Sequence, residues 1–321
     1  MRLIPIAGFC GAGKSLAALR LALQMQQNGE NVCICLDREN PITRALVEEY
    51  KIEAFTGKPE EIQGYENVIC ECYGLDTGNK AKLMDTGCQI APMTVVVDPA
   101  RLHMMAAYGA MTLNSRAYND IITAQLKEAD IVLLSHADLD PASDAVKAMI
   151  TAVAPNAKQI AFSAKNGQGY DEWAEALKGE AAPAPEIAPI EAEIARYDCS
   201  LHIAAPQGIF PDKFLNKLAH KTREALSSLP VPLASFQCCT ISEEGLAIAG
   251  CTDLNGVIRE DRLVNLCSIA CELHIQLAGN CDREFLCDVM YDAIQHTATA
   301  MEQGITVVGK FPSVWDDEDE N

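Results

Sequence analysis

Residues 8–15, GFCGAGKS, carry the clearest chemistry in the sequence. Four residues separate Gly8 from Gly13, and Lys14 and Ser15 follow directly, which is the Walker A spacing. Glycines let backbone N–H groups curve around a phosphate, the lysine reaches the β and γ phosphates, and the serine hydroxyl holds Mg²⁺. The spacing predicts a phosphate-binding loop, with a chance glycine-rich turn as the alternative. The residues expected to bind the nucleotide there are Gly11, Ala12, Gly13, Lys14, Ser15 and Leu16.

Acidic residues end two of the predicted strands, where magnesium ligands are needed. Asp37 and Glu71 follow apolar runs, and the carboxyl ends of parallel strands meet at one edge of a sheet. An acid at this edge holds Mg²⁺ or orients the attacking water. We expect Ser15, Asp37 and Glu71 to hold Mg²⁺, and Lys14, Glu71 and Asp37 to be catalytic. Gly74 would bring its backbone N–H to the γ-phosphate. The alternatives are an exposed strand-end acid for Glu71 and a helix cap for Asp37.

The amino-terminal part alternates between short apolar runs and helical stretches. The runs show little polar alternation, which is typical of parallel strands buried on both faces. Strands are predicted at 3–9, 31–37, 67–73, 93–98, 129–135 and 159–163, and helices at 14–28, 41–50, 115–128, 142–154 and 170–178. This order predicts an α/β fold with a doubly wound, mostly parallel P-loop NTPase sheet over residues 1–178.

The composition changes after residue 178. Residues 179–193 are rich in Ala, Pro and Glu, and we predict a semi-stiff linker over 179–196. Strands are then predicted near 199–205, 233–240, 245–251, 268–277 and 305–308, and helices near 211–228 and 282–302. This order predicts a second, smaller α+β domain over 197–310 with its helices on one face. Residues 311–321, which end in DDEDEN, are expected to form a solvated acidic tail.

The amino-terminal part resembles the CobW family of metal-chaperone GTPases, which are related to HypB and UreG. The resemblance covers about residues 4–178 and rests on four features: the loop 8–15, Glu71-x-x-Gly74, the Val-rich strand before Asp98, and residues 125–134. It implies slow, Mg²⁺-dependent GTP hydrolysis that assists a client enzyme or metalloprotein, and a homodimer. Metal-handling members carry a Cys-x-Cys-Cys motif ahead of the Glu-x-x-Gly strand, whereas residues 38–66 contain no cysteine. The alternative is an ATP- or GTP-gated activator or docking protein that transfers no metal.

The resemblance also indicates where the base would bind. The family pattern Asn-Lys-x-Asp is replaced by Ser-His-Ala-Asp at residues 135–138, so that only the Asp is kept. We expect Asp138 to pair with guanine and His136 to stack on the base in place of the lysine. A helix cap is the alternative for Asp138. The loop expected to meet the base oxygen with a backbone N–H consists of Ser163, Ala164 and Lys165. GTP is therefore favoured over ATP.

The fourteen cysteines include no Cys-x-x-Cys pair, and we expect them to be reduced. Cys33 and Cys35 share one strand face and are predicted core residues. Cys10 and Cys72, at the ends of neighbouring strands, are candidates for a metal or redox link, with simple filling of the loop as the alternative for Cys10. A transition-metal site in the second domain would need three or four convergent ligands, and core packing is the alternative. The candidates there are Cys238, Cys239, Cys251, Cys267, Cys271, His202 and His274.

The bulk charge restricts the classes of partner. The net charge is −20 with a pI of about 4.6, whereas binding to nucleic acid or to an anionic membrane needs a basic surface. A helix that spans a bilayer needs roughly 18 or more consecutive apolar residues, and no run in the sequence approaches this length. The first residues do not have the pattern of a signal peptide. We therefore expect a cytoplasmic protein whose partners are a nucleotide and a client protein.

Overall fold

The computed structural model of the chain describes residues 1–108, 113–139, 141–188, 190, 194–227, 233–252, 258–301 and 304–312. They form two compact units, Met1–Glu191 and Ala192–Asn321. Most of the predicted acidic tail, residues 313–321, lies outside the described residues. None of the described helices combines the length and the apolar character that crossing a bilayer requires.

The first unit is built on a parallel sheet, because its central strands are apolar runs that are buried on both faces. Its strands are β1 (Arg2–Ala7), β2 (Val32–Leu36), β3 (Ala54–Thr56), β4 (Asn67–Glu71), β5 (Gln89–Ile90), β6 (Thr94–Val97), β7 (Ile131–Leu134) and β8 (Lys158–Ala161). Within the described residues the order is β3-β2-β4-β1-β6-β7-β8, and β5 pairs with β1. The chain thus runs from β1 to one edge and later to the other, which is the doubly wound arrangement.

The first unit has seven α-helices among its described residues. They are α1 (Lys14–Gln27), α2 (Pro41–Glu49), α3 (Asn79–Met84), α4 (Pro99–Tyr108), α5 (Leu113–Glu128), α6 (Asp144–Val153) and α7 (Tyr170–Leu177). The Asn40 side chain accepts hydrogen bonds from the first turn of α2, in which Pro41 takes the first position. The Ser143 side chain caps α6 in the same way. The predicted α/β class is confirmed.

Four elements of the first unit were not predicted from the sequence: β3, β5, α3 and α4. Strand β3 is three residues long and mostly exposed, so that it carries almost no periodic signal. Helix α4 begins directly after Asp98, whose Oδ1 accepts a hydrogen bond from the Ala100 N–H at 3.0 Å. Between β3 and β4 the chain has a 3-10 turn, Pro59–Glu61. Every strand and helix predicted for the first unit is present, and these four elements are additions to them.

The second unit is an antiparallel sheet with two long helices. Its elements are β9 (Ala195–Ile209), α8 (Pro211–Ser227), β10 (Leu233–Ser242), β11 (Gly245–Cys251), β12 (Arg259–Arg262), β13 (Ser268–Gly279), α9 (Arg283–Ala300) and β14 (Thr306–Val308). Within the described residues the strand order is β12-β11-β10-β13-β9-β14. Strand β9 alternates between buried and exposed residues, because one face packs against the core that includes α8 and α9. The predicted smaller α+β domain is confirmed, and β12 is an addition to it.

Gly8 connects β1 to the glycine-rich loop at a point where a side chain has no room. Its φ is +136°, and a Cβ atom would lie 2.2 Å from the Val96 carbonyl oxygen of β6. The missing side chain thus lets the loop start pass directly over the neighbouring strand.

We predict that Gly8→Ala lowers the free energy of unfolding by more than about 2 kcal/mol, because it adds a backbone clash to an unfavourable φ. The control is Gly29→Ala, where φ is +83° and no atom lies within 4 Å of the added Cβ, so that only the conformational cost of about 1 kcal/mol remains. Urea denaturation of both variants is the measurement. Equal losses would show that the contact with Val96 is unimportant.

Candidate functional site

The loop after β1 leaves backbone donors free at the start of α1. Gly11 and Gly13 have left-handed φ values of +75° and +97°, and the Ala12 N–H donates to the Phe9 carbonyl at 3.2 Å. Helix α1 has no side-chain cap and no acidic residue in its first turn. Its first N–H groups and the positive end of its dipole therefore favour an anion.

Lys14, the first residue of α1, points back over this loop. The residue is buried, with 8 % of its surface exposed, and Nζ donates to the Phe9 carbonyl at 3.4 Å. This contact is at the long limit of a hydrogen bond, so that the ammonium group is held only weakly by the protein itself. A lysine in this position is available to a phosphate that enters the loop.

Ser15 and Glu71 form the central contact of the site. The Ser15 hydroxyl donates to Glu71 Oε1 at 2.6 Å, and Glu71 Oε2 is buried without a hydrogen-bond partner among the described residues. Burial raises the pKa of the Glu71 carboxyl, while the Lys14 charge and the Ser15 hydrogen bond act in the opposite direction. A buried carboxylate oxygen with no donor is costly, and a cation would offset that cost.

This donor set fits Mg²⁺, which prefers oxygen ligands and is usually held by one or two carboxylates together with substrate phosphates. Ser15 and Glu71 supply a hydroxyl and a carboxylate beside the start of α1. Asp37 is held differently: its carboxylate is half exposed and lies 3.8 Å from the Arg38 guanidinium. Arg38 in turn stacks on the ring of Tyr73 at 3.6 Å. The role of Asp37 as a Mg²⁺ ligand stays a prediction.

Gly74 lies against the glycine-rich loop. A Cβ atom at this position would be 2.7 Å from Cys10 Sγ and 2.8 Å from the Cys10 backbone nitrogen. Any larger residue would therefore push the segment after Glu71 away from the loop. Burial raises the pKa of the Cys10 thiol, which favours the neutral form. Cys10 thus packs against Gly74, as the filling alternative predicts, and the thiol of Cys72 is buried as well.

The two candidate base-binding segments, which follow β7 and β8, are joined by a backbone hydrogen bond. The Ala137 N–H donates to the Phe162 carbonyl at 3.1 Å, which ties the segment after β7 to the end of β8. Ser135 Oγ donates to the Val97 carbonyl at 3.0 Å and lies 2.9 Å from His136 Nδ1. His136 has a left-handed φ of +58°, which is unusual for a residue with a side chain.

The exposed members of these segments are Asp138 and Lys165, whereas Ser163 is buried. The Ser163 backbone N–H donates to the Gln168 carbonyl at 3.1 Å, and the Ser163 carbonyl accepts from Gly167 at 2.9 Å. Ala164, which is partly buried, follows in the same turn. The Asp138 carboxylate is therefore accessible to a ligand, while Ser163 holds the shape of its own loop.

Sequence reasoning missed one group of buried polar residues near this site. Gln125 entered only through the resemblance, and Glu128 and Lys80 were not singled out. All three are at most 2 % exposed. Gln125 and Glu128 bind the segment that follows Gly74, and Lys80 belongs to that segment. Glutamate and lysine are rarely buried, but nothing local in the sequence marks these two as interior.

The cysteines of the second unit do not converge. Cys238, Cys251 and Cys271 pack in the core with the helices, whereas Cys239 faces His274 across neighbouring strands. Among the described residues, no group of three or more His, Cys, Asp or Glu side chains is placed to hold a metal ion. In the first unit Cys33, Cys35 and Cys70 belong to one core cluster.

No protein-family model and no curated protein matches the chain. Among solved structures, the hydrogenase maturation factor HypB from Archaeoglobus fulgidus is similar over 56% of this chain and 89% of that one, with 17% identity and a TM-score of 0.40. The Zn(II)-bound YjiA GTPase from E. coli is similar over 92% of this chain and 98% of that one, with 12% identity and a TM-score of 0.35. HypB from Helicobacter pylori in complex with nickel is similar over 55% of this chain and 85% of that one, with 13% identity and a TM-score of 0.38. HypB, which the sequence resemblance named, is thus among the structures to which this chain is similar.

We predict that Glu71→Gln stabilises the protein at neutral pH in the absence of nucleotide and Mg²⁺. Because the folded-state pKa of Glu71 is raised, the wild type loses stability as the pH rises through that pKa, and glutamine does not. The difference in the free energy of unfolding should therefore grow with pH, by about 1.4 kcal/mol for each unit of the pKa shift.

Urea denaturation between about pH 4 and about pH 8 measures this difference. The exposed Glu48→Gln on α2 is the reference for the loss of one surface charge. A difference that is independent of pH would contradict a burial-driven shift at Glu71.

Proposed function

We propose that the chain is a Mg²⁺-dependent nucleoside triphosphatase that binds and slowly hydrolyses GTP. The observation that supports this most directly is the Ser15–Glu71 hydrogen bond of 2.6 Å at the start of α1, with Glu71 Oε2 buried and lacking a partner. A hydroxyl, a carboxylate and a lysine beside free helix N–H groups are the components that a Mg²⁺–triphosphate complex needs.

Each residue has a role in this proposal. The loop residues Gly11, Ala12 and Gly13 and the Lys14 ammonium bind the β and γ phosphates, and Leu16 adds the first turn of α1 to this site. Ser15 and Glu71 would hold Mg²⁺, which when bound neutralises charge on the phosphate oxygens. Glu71 or Asp37 orients the attacking water, and Gly74 presents its N–H to the γ-phosphate. The sequence offers no evident arginine finger, so that we expect slow hydrolysis until a partner or a second copy supplies one.

The preference for GTP rests on the base-binding segments. In the proposal Asp138 pairs with guanine, His136 stacks on the base, and a backbone N–H of the segment Ser163–Lys165 meets the base oxygen. The hydrogen bond from Ala137 to Phe162, which joins the two segments, and the exposure of Asp138 support this assignment.

The cellular role that we propose is assistance in the assembly of a metallocentre or cofactor-dependent enzyme, which the sequence resemblance supports. The second unit would recognise the client, and a homodimer is part of the proposal. The second candidate is an ATP- or GTP-gated activator or docking protein that transfers no metal. The packing of Cys33, Cys35 and Cys70 in the core favours this second candidate, because buried thiols are not accessible for metal transfer. Client binding by metal-stripped protein with bound nucleotide would distinguish the two roles.

Calorimetric titration with Mg²⁺ and non-hydrolysable GTP or ATP analogues tests the site. We expect Lys14→Ala to weaken binding by about a hundredfold or more, because it removes charge-assisted hydrogen bonds to two phosphates. Lys147→Ala, which removes an exposed lysine of α6, should bind like the wild type. Unchanged binding by the Lys14 variant would refute the assignment of the loop.

The same titration tests the choice of base. We expect Asp138→Asn to lower the preference for GTP over ATP by about tenfold to a hundredfold, since a bidentate contact to a base contributes about 1–3 kcal/mol. Asp144→Asn, at a fully exposed carboxylate of α6, is the matched control and should keep the preference. If the wild type prefers ATP, residues 135–138 do not read guanine and the second candidate role gains support.

A further inference from the structure

The segment that follows Glu71 is held by the last turns of α5. Gln125 Nε2 donates to the Gly74 carbonyl at 3.0 Å and to the Asp76 carbonyl at 2.9 Å. Three residues later, Glu128 accepts from the N–H groups of Gly78 at 2.7 Å and Lys80 at 2.8 Å. Two side chains on one face of the helix thus bind four backbone groups of residues 74–80, which we call the Gly74 segment.

These contacts are made in the interior of the first unit. Gln125 and Glu128 are each 1 % exposed, and Lys80 Nζ forms a buried ion pair with Asp130 at 2.7 Å. Gln125 commits both N–H donors of its amide to the Gly74 segment, while its Oε1 is buried without a partner among the described residues. An unpaired buried acceptor is unfavourable. The two hydrogen bonds that the Nε2 group donates are therefore the favourable contribution of this amide.

The Gln125 amide binds the carbonyl of Gly74, the residue whose backbone N–H meets the γ-phosphate in the proposed function. Gly74 has no side chain to fix its backbone, and its contact with Cys10 tolerates no Cβ. A glycine samples more backbone conformations than any other residue, and ordering it when a ligand binds reduces affinity. A hydrogen bond to its carbonyl restricts these conformations before the ligand arrives.

We propose that Gln125 is a positioning residue for recognition of the γ-phosphate. The inference rests on the proposed function: the Gly74 N–H meets the γ-phosphate, and Gln125, without contacting the nucleotide, keeps the Gly74 segment against the glycine-rich loop. Its effect is therefore specific for triphosphates, because a diphosphate has no group at the position that Gly74 reads. Glu128 holds the far end of the same segment.

The experiment compares the affinities of wild type and Gln125→Met for Mg²⁺–GTPγS and Mg²⁺–GDP by calorimetry. Methionine keeps the length and the unbranched shape of glutamine and removes both donors. We expect GTPγS binding to weaken by about tenfold or more, since two buried hydrogen bonds are lost, while GDP binding changes by less than about twofold. Ile121→Val, at a buried position of the same helix, controls for mild destabilisation and should leave both affinities unchanged.

A merely structural role of Gln125 would change both affinities in parallel or neither, and either result overturns the inference while leaving nucleotide binding by the wild type intact. A wild type that binds neither nucleotide refutes the proposed function itself, and the inference with it. If Gln125→Met does not fold, Gln125→Glu replaces it, because a carboxyl group of the same shape that is buried against carbonyl oxygens is protonated and supplies one donor in place of two. The same selective loss of GTPγS binding is expected, and a parallel loss again overturns the inference.

Discussion

The Glu71 carboxylate is partly buried in the first unit, with Oε2 shielded from solvent, and an ion there is unfavourable unless charges or hydrogen bonds compensate its lost hydration. The compensation comes from Ser15 and Lys14, which both belong to the first turn of α1. One of the two carboxylate oxygens still lacks a partner among the described residues. Without a cation, the Glu71 carboxylate lowers the stability of the folded state. The same carboxylate is the group that would bind the cation.

The sheet makes this contact between residues that are 56 positions apart. Strands β1 and β4 pair in parallel with Ile6 opposite Glu71, so that the carboxylate stands beside the residues that lead into the loop. On the other side β6 runs beside β1, and Gly8 passes over Val96. The loop is thus enclosed between two strands at the point where the order of the sheet reverses, which is where open α/β sheets bind ligands.

The parts of the site that were predictable from sequence are those that a few neighbouring residues encode. The loop 8–15 contains its own glycines, lysine and serine, and Glu71 follows directly after a run of buried residues. The contacts of Gln125 with Gly74 and Asp76 join residues 49 to 51 positions apart, and no local pattern announces them. The short elements β3 and α3 were missed for a related reason, because tertiary contacts hold them and their own periodicity is too brief to detect.

Asp130 shows how far the ordering of the Gly74 segment extends through the first unit. Its Oδ1 accepts from Lys80 Nζ at 2.7 Å and from the Ala182 N–H at 3.2 Å, and its Oδ2 accepts from the Met93 N–H at 2.7 Å. One carboxylate therefore connects the end of the Gly74 segment, the residue before β6 and the first part of the Ala-, Pro- and Glu-rich stretch. Because a mostly buried carboxylate depends on all of its donors, a displacement of Lys80 alters the anchoring of residue 182 as well. The segment that reads the γ-phosphate in our proposal is thus bonded, through Lys80 and Asp130, to the stretch in which the first unit ends.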